Sequence, residues 1–105
     1  MAVRSVTSFQ VRPGKMAECM ANMGELKKMF ERLGGSVRVS TVTVGGPNTN
    51  NILLAVEHKD MEAYGAWSSK LQADSAWQTY LAKVQGQADP AATLVGRVLL
   101  SDLAI

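Results

Sequence analysis

The only histidine of the chain, His58, lies in the segment EHKDMEAYGAW (57–67), together with acidic and aromatic residues. A histidine at the end of a strand can act as a general base or as a metal ligand near neutral pH. Its neighbour Glu57 should point to the opposite face of that strand, so the two side chains do not form a catalytic pair. No nucleophile and no metal-ligand spacing accompanies His58. A strand-end histidine that is solvated or bonded to backbone is therefore the alternative interpretation.

Two aromatic residues of the same segment, Tyr64 and Trp67, are three positions apart and share one face of the helix that should follow the strand. An aromatic wall beside an imidazole would suit an apolar ring that carries an acidic hydroxyl group. We therefore take His58 and Trp67 as candidate catalytic residues and Tyr64 as a candidate ligand-binding residue. Ordinary core packing of both aromatic side chains is the alternative.

Two arginines, Arg38 and Arg97, interrupt otherwise apolar strand segments. An arginine that faces a cavity can bind a carboxylate or a phenolate through its planar fork of N–H donors. Both arginines are therefore candidate ligand-binding residues. Pairing with Glu57 or Asp102, or a position at a solvated edge, is the alternative for each.

Composition excludes several classes of function. Eleven Lys and Arg against nine Asp and Glu give a net charge of +2, which is too small to indicate nucleic acid or an anionic membrane as a partner. The aliphatic run 52–56 is far shorter than the roughly 20 residues of a membrane span. The lone Cys19 fits a reducing cytoplasm. Cysteine pairs and glycine-rich phosphate motifs are absent, and the Met/Cys face of 16–23 is more typical of core than of a Cu(I) site. We expect no metal and no cofactor.

The elements that must position these residues follow from periodicity. The sequence predicts strands at 2–11, 36–44, 52–58 and 92–104 and a helix between 16 and 33 that ends at Gly34-Gly35. Asp60 should cap a second helix, which breaks near 72–75 and restarts at a Ser75–Gln78 capping box. The order β-α-β-β-α-β predicts one ferredoxin-like α+β domain over 1–105, with a four-stranded antiparallel sheet covered by helices on one face.

The third and last strands lack the polar alternation that a solvated sheet face would show. Both of their faces carry apolar side chains, so a second copy of the chain should cover the face that the helices leave open. In the third strand, one face should carry Ile52, Leu54 and Val56 and the other Leu53 and Ala55. In the last strand, one face should carry Leu94, Val98 and Leu100 and the other Val95, Leu99 and Leu103.

Three segments carry a resemblance: RPGK (12–15), GG (34–35) and YGAWSSKLQADSAWQTYL (64–81). With them the chain resembles the dimeric α/β-barrel superfamily, which includes antibiotic-biosynthesis-type and haem-degrading monooxygenases and NIPSNAP-like proteins. The resemblance implies two sheets in a shared barrel and a small hydrophobic ligand between sheet and helices. Trp67 resembles a tryptophan of the haem-degrading branch. That branch's histidine would fall near Tyr80 or Leu81, and its first-strand asparagine is absent, so haem degradation is not expected.

The sequence therefore favours a cytoplasmic homodimer that binds a small hydrophobic ligand. If the protein is an enzyme, the expected activity is that of a cofactor-independent monooxygenase on a small aromatic or hydrophobic compound. The alternative is a non-catalytic structural or regulatory dimer whose core is filled. A cavity holding His58, Trp67 and an arginine would favour the first interpretation. A core filled by methionine, leucine and tryptophan side chains would favour the second.

Overall fold

A computed structural model describes residues 2–86 and 90–103, without the side chains of residues 48 and 85. The predicted order of elements is confirmed, with the second helix in two parts. The strands and helices are β1 (Val3–Val11), α1 (Met16–Arg32), β2 (Ser36–Thr41), β3 (Ile52–His58), α2 (Met61–Ala73), α3 (Ser75–Gln85) and β4 (Ala92–Ser101). β2 ends three residues before its predicted limit of 44, and β4 ends at Ser101, while its predicted limit of 104 lies outside the described residues.

The four strands form one antiparallel sheet in the order β2-β3-β1-β4, which leaves β4 at an edge. The pairing of β1 with β4 slips between Ser8 and Phe9, because Ser8 lies opposite Gly96 and Phe9 opposite Leu94. One extra residue in β4 reverses the alternation of its side chains at this bulge. The predicted grouping of Leu94 with Val98 and Leu100 is therefore wrong.

The face of the sheet that carries β1 residues Ser5 and Thr7 packs against the helices. Leu94, Arg97 and Leu99 of β4 belong to this face by register, whereas Val98 and Leu100 belong to the other. The main core lies between α1 and β3, with one tryptophan from α2. Its buried residues include Cys19, Met23, Leu26, Phe30, Ile52, Leu54, Val56 and Trp67.

The helix boundaries follow mostly from local signals. Gly34 has a φ of 105°, the left-handed conformation that ends α1. Asp60 caps α2 as predicted, since its carboxylate accepts a hydrogen bond of 2.8 Å from the backbone N–H of Ala63. At α3 the predicted capping box is wrong: Asp74 caps the helix by accepting from the N–H of Trp77 at 3.0 Å.

The Asp74 carboxylate also accepts from Arg32, in the last turn of α1, at 2.9 Å. This pairing fixes the junction between α2 and α3 against the end of α1. The side-chain amide of Gln78, the expected partner of Ser75, instead donates to the carbonyl of Gln72 at 2.7 Å.

The second face of the sheet, which we call the open face, carries no helix within the described residues. Val98 and Leu100 of β4 lie on it with 54% and 46% of their surface exposed. Val6, Leu53 and Ala55 of the central strands lie on the same face. These five residues form an apolar strip on the open face, as the sequence predicts, and Arg4, Arg38 and Glu57 lie beside the strip on the same face. Among the described residues, no helix has the length and apolar character required to cross a membrane.

Candidate functional site

A cavity of about 460 Å³ lies between the helix-facing side of the sheet and the three helices. Apolar and aromatic side chains form most of its wall, and the polar groups come from the strands and from Tyr80. Its lining consists of Ser5, Thr7, Phe9, Met23, Leu26, Phe30, Leu54, Val56, Trp67, Leu71, Trp77, Tyr80, Leu81, Val84, Leu94 and Arg97. We call this space the main cavity.

The main cavity exists because α3 stands off the sheet. The apolar side chains of α3 that point inward, from Trp77 to Val84, are only partly buried. Leu94 lines the cavity from the edge strand and is 61% exposed, and Arg97 beside it is also exposed. The cavity therefore opens to solvent along β4.

Arg97 is the only cationic side chain of the cavity lining within the described residues. Its Nε donates to the hydroxyl of Ser5 at 3.0 Å, and its Nη2 donates to the hydroxyl of Tyr64 at 3.0 Å. Within the described part of the chain its Nη1 has no hydrogen-bond partner, and no carboxylate lies within salt-bridge distance of the guanidinium. The charge is thus oriented by two neutral hydroxyl groups and lacks a counterion in this part of the chain.

Four aromatic rings form one wall of the main cavity. The ring centroids of Phe30 and Trp67 are 5.2 Å apart in an edge-to-face arrangement, and those of Trp77 and Tyr80 are 6.0 Å apart with nearly parallel planes. The indole N–H of Trp67 donates to the carbonyl of Phe30 at 3.2 Å, so the indole orientation is fixed from α1. This wall offers flat apolar surface, which suits an aromatic ligand.

Tyr80 brings a phenol to the helix side of the cavity. Burial raises the pKa of this phenol, and the nearby Glu25 carboxylate and Cys19 thiol raise the pKa further. Tyr80 therefore stays protonated at neutral pH and serves as a hydrogen-bond donor rather than as a base.

His58 lies behind this wall. Its ring centroid is 4.9 Å from that of Trp67 and 5.5 Å from that of Tyr64, and the residue is only 5% exposed. Its Nε2 has no hydrogen-bond partner among the described residues. Burial lowers the pKa of the imidazole, so the neutral form is favoured.

A second recess of about 380 Å³, the His58 groove, lies at the end of β3 between the end of α1 and the start of α2. His58 lines this groove, with Gly35, Lys59 and Lys70 among its other residues. Trp67 lines both the His58 groove and the main cavity. The indole therefore stands between the two spaces.

The structure brings four of the five predicted site residues into one chain of contacts. His58 packs on Trp67 and Tyr64, and Tyr64 is bonded to Arg97. The residues do not line a single pocket, because His58 faces the groove while Arg97 faces the main cavity.

The fifth predicted residue, Arg38, lies opposite Ala55 on the open face and lines neither recess. Glu57 also lies on the open face, while its neighbour His58 is buried, as strand alternation predicts. Asp102 bonds to Arg4 at 2.6 Å and not to Arg97. The expected alternative partner of Arg97 is thus already engaged.

Sequence reasoning missed Ser5 and Thr7, which bring hydroxyl groups to the sheet side of the main cavity. Trp77 and Tyr80, which also line the main cavity, were likewise not among the predicted site residues. The available signal was the alternation of β1, where Val3, Ser5, Thr7 and Phe9 share one face. Two hydroxyl residues among apolar ones on a buried face indicate a polar partner on the neighbouring strand.

Known proteins resemble this chain in fold rather than in sequence, since no family model and no curated protein matches it. An uncharacterised NIPSNAP domain protein from Burkholderia xenovorans superimposes with a TM-score of 0.71 at 19% identity, over 99% of this chain and 96% of that chain. A NIPSNAP family protein from Agrobacterium tumefaciens gives 0.70 at 14% identity, over 99% and 95%. This chain has the NIPSNAP-like fold. The resemblance expected from the sequence is confirmed at the level of fold.

The NIPSNAP-like fold is shared with an oxygenase. A mutant of SnoaB from Streptomyces nogalater, described as a cofactor-independent oxygenase, matches with a TM-score of 0.64 at 17% identity, over 96% of this chain and 92% of that chain. Likeness at such identity concerns the arrangement of strands and helices. Function has to be argued from the cavity itself.

Proposed function

We propose that this chain is a homodimeric binding protein for a small apolar compound, which it holds in the main cavity. The observation that carries the proposal is the space of about 460 Å³ lined by aromatic and aliphatic side chains with one oriented arginine. Its volume falls within the roughly 300–1,000 Å³ of small-molecule pockets. An apolar wall with a few fixed polar groups is the usual composition of such sites.

The homodimer rests on the open face. The central strands carry Val6, Leu53 and Ala55 there, and the edge strand exposes Val98 and Leu100. A contiguous apolar surface on a sheet is a common interaction surface. A second copy presents the same surface, and self-complementary pairs are the commonest oligomers.

A cofactor-independent monooxygenase-like enzyme is the second candidate, because the fold is that of SnoaB and an aromatic wall lines the cavity. A substrate that is activated by loss of a proton needs a general base within hydrogen-bond reach. The described lining of the main cavity holds neither histidine nor carboxylate, and Trp67 stands between His58 and this space. We therefore place binding ahead of catalysis.

The non-catalytic module with a filled core is disfavoured by the cavity. Met23 and Leu26 border the space without filling it, and the inward side chains of α3 remain partly exposed. A structural module would gain stability from closing that space.

Isothermal titration calorimetry with 2-naphthalenemethanol, a neutral aromatic probe, tests the proposed function. Thr7→Phe places a ring in the cavity and should weaken binding about tenfold or more, because the probe and the new ring compete for one volume. Thr43→Phe makes the same change at an exposed turn residue outside the cavity and is expected to bind like the wild type. No heat of binding to the wild type, or equal affinities of both variants, would contradict the proposal.

A further inference from the structure

We infer that the ligand of the main cavity is an aromatic carboxylate, held as a monoanion by Arg97, whose guanidinium is oriented by Ser5 and Tyr64. The inference rests on the proposed binding function and adds the charge and class of the ligand. It also assigns Ser5 a role that its residue type alone does not indicate, as a residue that positions Arg97.

The first observation is the uncompensated charge. Arg97 is the only cation of the cavity lining, and no acidic side chain lines the cavity or pairs with Arg97 within the described residues. Arg97 is exposed where the cavity opens along β4, so water solvates its charge, and a ligand anion can take the place of that water without displacing a protein carboxylate. One cation without an acidic neighbour selects a ligand with one negative charge.

The second observation is the orientation of the donors. Ser5 is buried and accepts from Nε, while the Tyr64 hydroxyl accepts from Nη2. These two bonds hold the guanidinium plane and leave Nη1 without a partner among the described residues. Tyr64 is not part of the cavity lining, so it acts on the ligand through Arg97. An ammonium would not be held this way, and the planar fork matches a carboxylate.

The third observation concerns the protonation state in which the ligand arrives. A phenol has an ordinary pKa near 10 and would need a base in the cavity to become an anion, whereas a carboxylic acid is already ionised at neutral pH. The described lining contains no carboxylate or imidazole, and His58 lies on the far side of Trp67. A carboxylate needs no proton transfer. The wall that includes Phe30 and Trp77 favours an aromatic body over a flexible chain.

The experiment compares three probes that share one ring system: 2-naphthoate, 2-naphthalenemethanol and 2-naphthylmethylammonium. Calorimetry on the full chain at pH 7 should give an affinity for the carboxylate at least about tenfold above that for the alcohol. The guanidinium can donate to either oxygen, but only the carboxylate adds the attraction between two opposite charges. The ammonium should bind more weakly than the alcohol because its positive charge is repelled by that of Arg97.

Variants separate charge from positioning. In Arg97→Met, the affinity for the carboxylate should fall to within about threefold of the affinity for the alcohol, because the bond between the guanidinium and the carboxylate is lost. Tyr64→Phe should reduce the preference for the carboxylate by a smaller factor, because it removes one of the two bonds that hold the guanidinium. Lys83→Met, on the exposed surface of α3, makes the same change in net charge and should keep the full preference.

The outcomes distinguish this inference from the proposed function. Equal affinities for the alcohol and the carboxylate would overturn the inference that the ligand is an anion, but would still support ligand binding in the main cavity. A carboxylate preference that survives Arg97→Met would also overturn it. Failure of all three probes to bind would reject the proposed function together with the inference.

Discussion

Trp67 separates the main cavity from the His58 groove, and the residues that pack against its indole hold it in this position. Its indole N–H is bonded to the Phe30 carbonyl, and its ring packs against His58. Gly35 lies directly against it. A Cβ at Gly35 would lie 3.0 Å from Nε1 of Trp67 and 2.7 Å from a methyl carbon of Val56.

Gly35→Ala should therefore destabilise the fold by about 1–3 kcal/mol, since overpacking forces neighbouring side chains to shift. Urea unfolding at fixed protein concentration measures the effect. Gly24→Ala is the control: Gly24 lies in the middle of α1, and a Cβ there would meet no atom within 4 Å. This control should be neutral or stabilising by up to about 1 kcal/mol. Equal stabilities of the two variants would contradict the close packing at Gly35.

His58 should make stability depend on pH. Burial lowers its pKa in the folded state below the ordinary 6.5, so the unfolded chain takes up the proton first. The stability contributed by the neutral imidazole is present above pH 6.5 and is lost as the pH falls from there toward the folded-state pKa.

His58→Phe keeps an aromatic ring but cannot titrate. Between pH 7 and 5 the wild type should lose stability relative to this variant, by at most about 1.4 kcal/mol per pH unit. Asp74, whose pKa the Arg32 hydrogen bond lowers from 3.8, titrates below this range. Urea unfolding across the range gives the measurement, and parallel pH profiles would show that His58 is not a buried neutral group.

Part of the site could be predicted from single residues. The approach of His58 to Tyr64 and Trp67 follows from a strand end, a capped helix and a spacing of three. The side of the sheet that Arg97 faces could not be predicted, because alternation divides a strand into two sets without saying which set meets the helices. The bulge at Ser8 and Phe9 then reverses the alternation within β4.

At the scale of elements, α2 matters most to the site, since it carries Tyr64 and Trp67. Its first turn depends on Asp60, which accepts from the N–H of Ala63. Asp60→Ala should cost about 1 kcal/mol of stability, whereas Asp60→Asn should retain most of it, because asparagine is also a good N-cap. Thermal unfolding of both variants tests this, and a loss that is equal for alanine and asparagine would argue against capping.

The order of elements could be predicted because each carries its own signal: β-branched residues in the strands, a stripe in α1 and a break near 72–75. The sequence predicted the N-cap of α3 at Ser75, one residue after the observed cap, Asp74. Asp74 and Ser75 are adjacent and are comparable N-cap residues by type, so residue types alone could not decide between them. The contact of Asp74 with Arg32, which is distant in the sequence, could not be predicted from a local pattern. The main cavity likewise depends on how far α3 stands from the sheet, and no local pattern encodes that separation.

At the scale of the whole molecule, the open face should bring two copies together. Val98→Asp places a charge opposite Val6 on this face and should shift sedimentation at micromolar concentration from the mass of two chains to that of one, because burying an unpaired carboxylate costs several kcal/mol. Val44→Asp is the control, since Val44 is 90% exposed and lies in the turn after β2. A wild type that sediments as one chain, or a Val98→Asp variant that remains paired, would contradict dimerisation through this face.

A crystal structure of the chain with 2-naphthoate is the most direct measurement of ligand binding in the main cavity. We expect the naphthalene ring in the main cavity beside Phe30 and Trp77, with its carboxylate on Nη1 of Arg97, in each copy of a dimer paired through the open faces. Naphthoate bound in the His58 groove with the main cavity free of it would contradict the proposed binding site. So would a main cavity closed by side chains of α3.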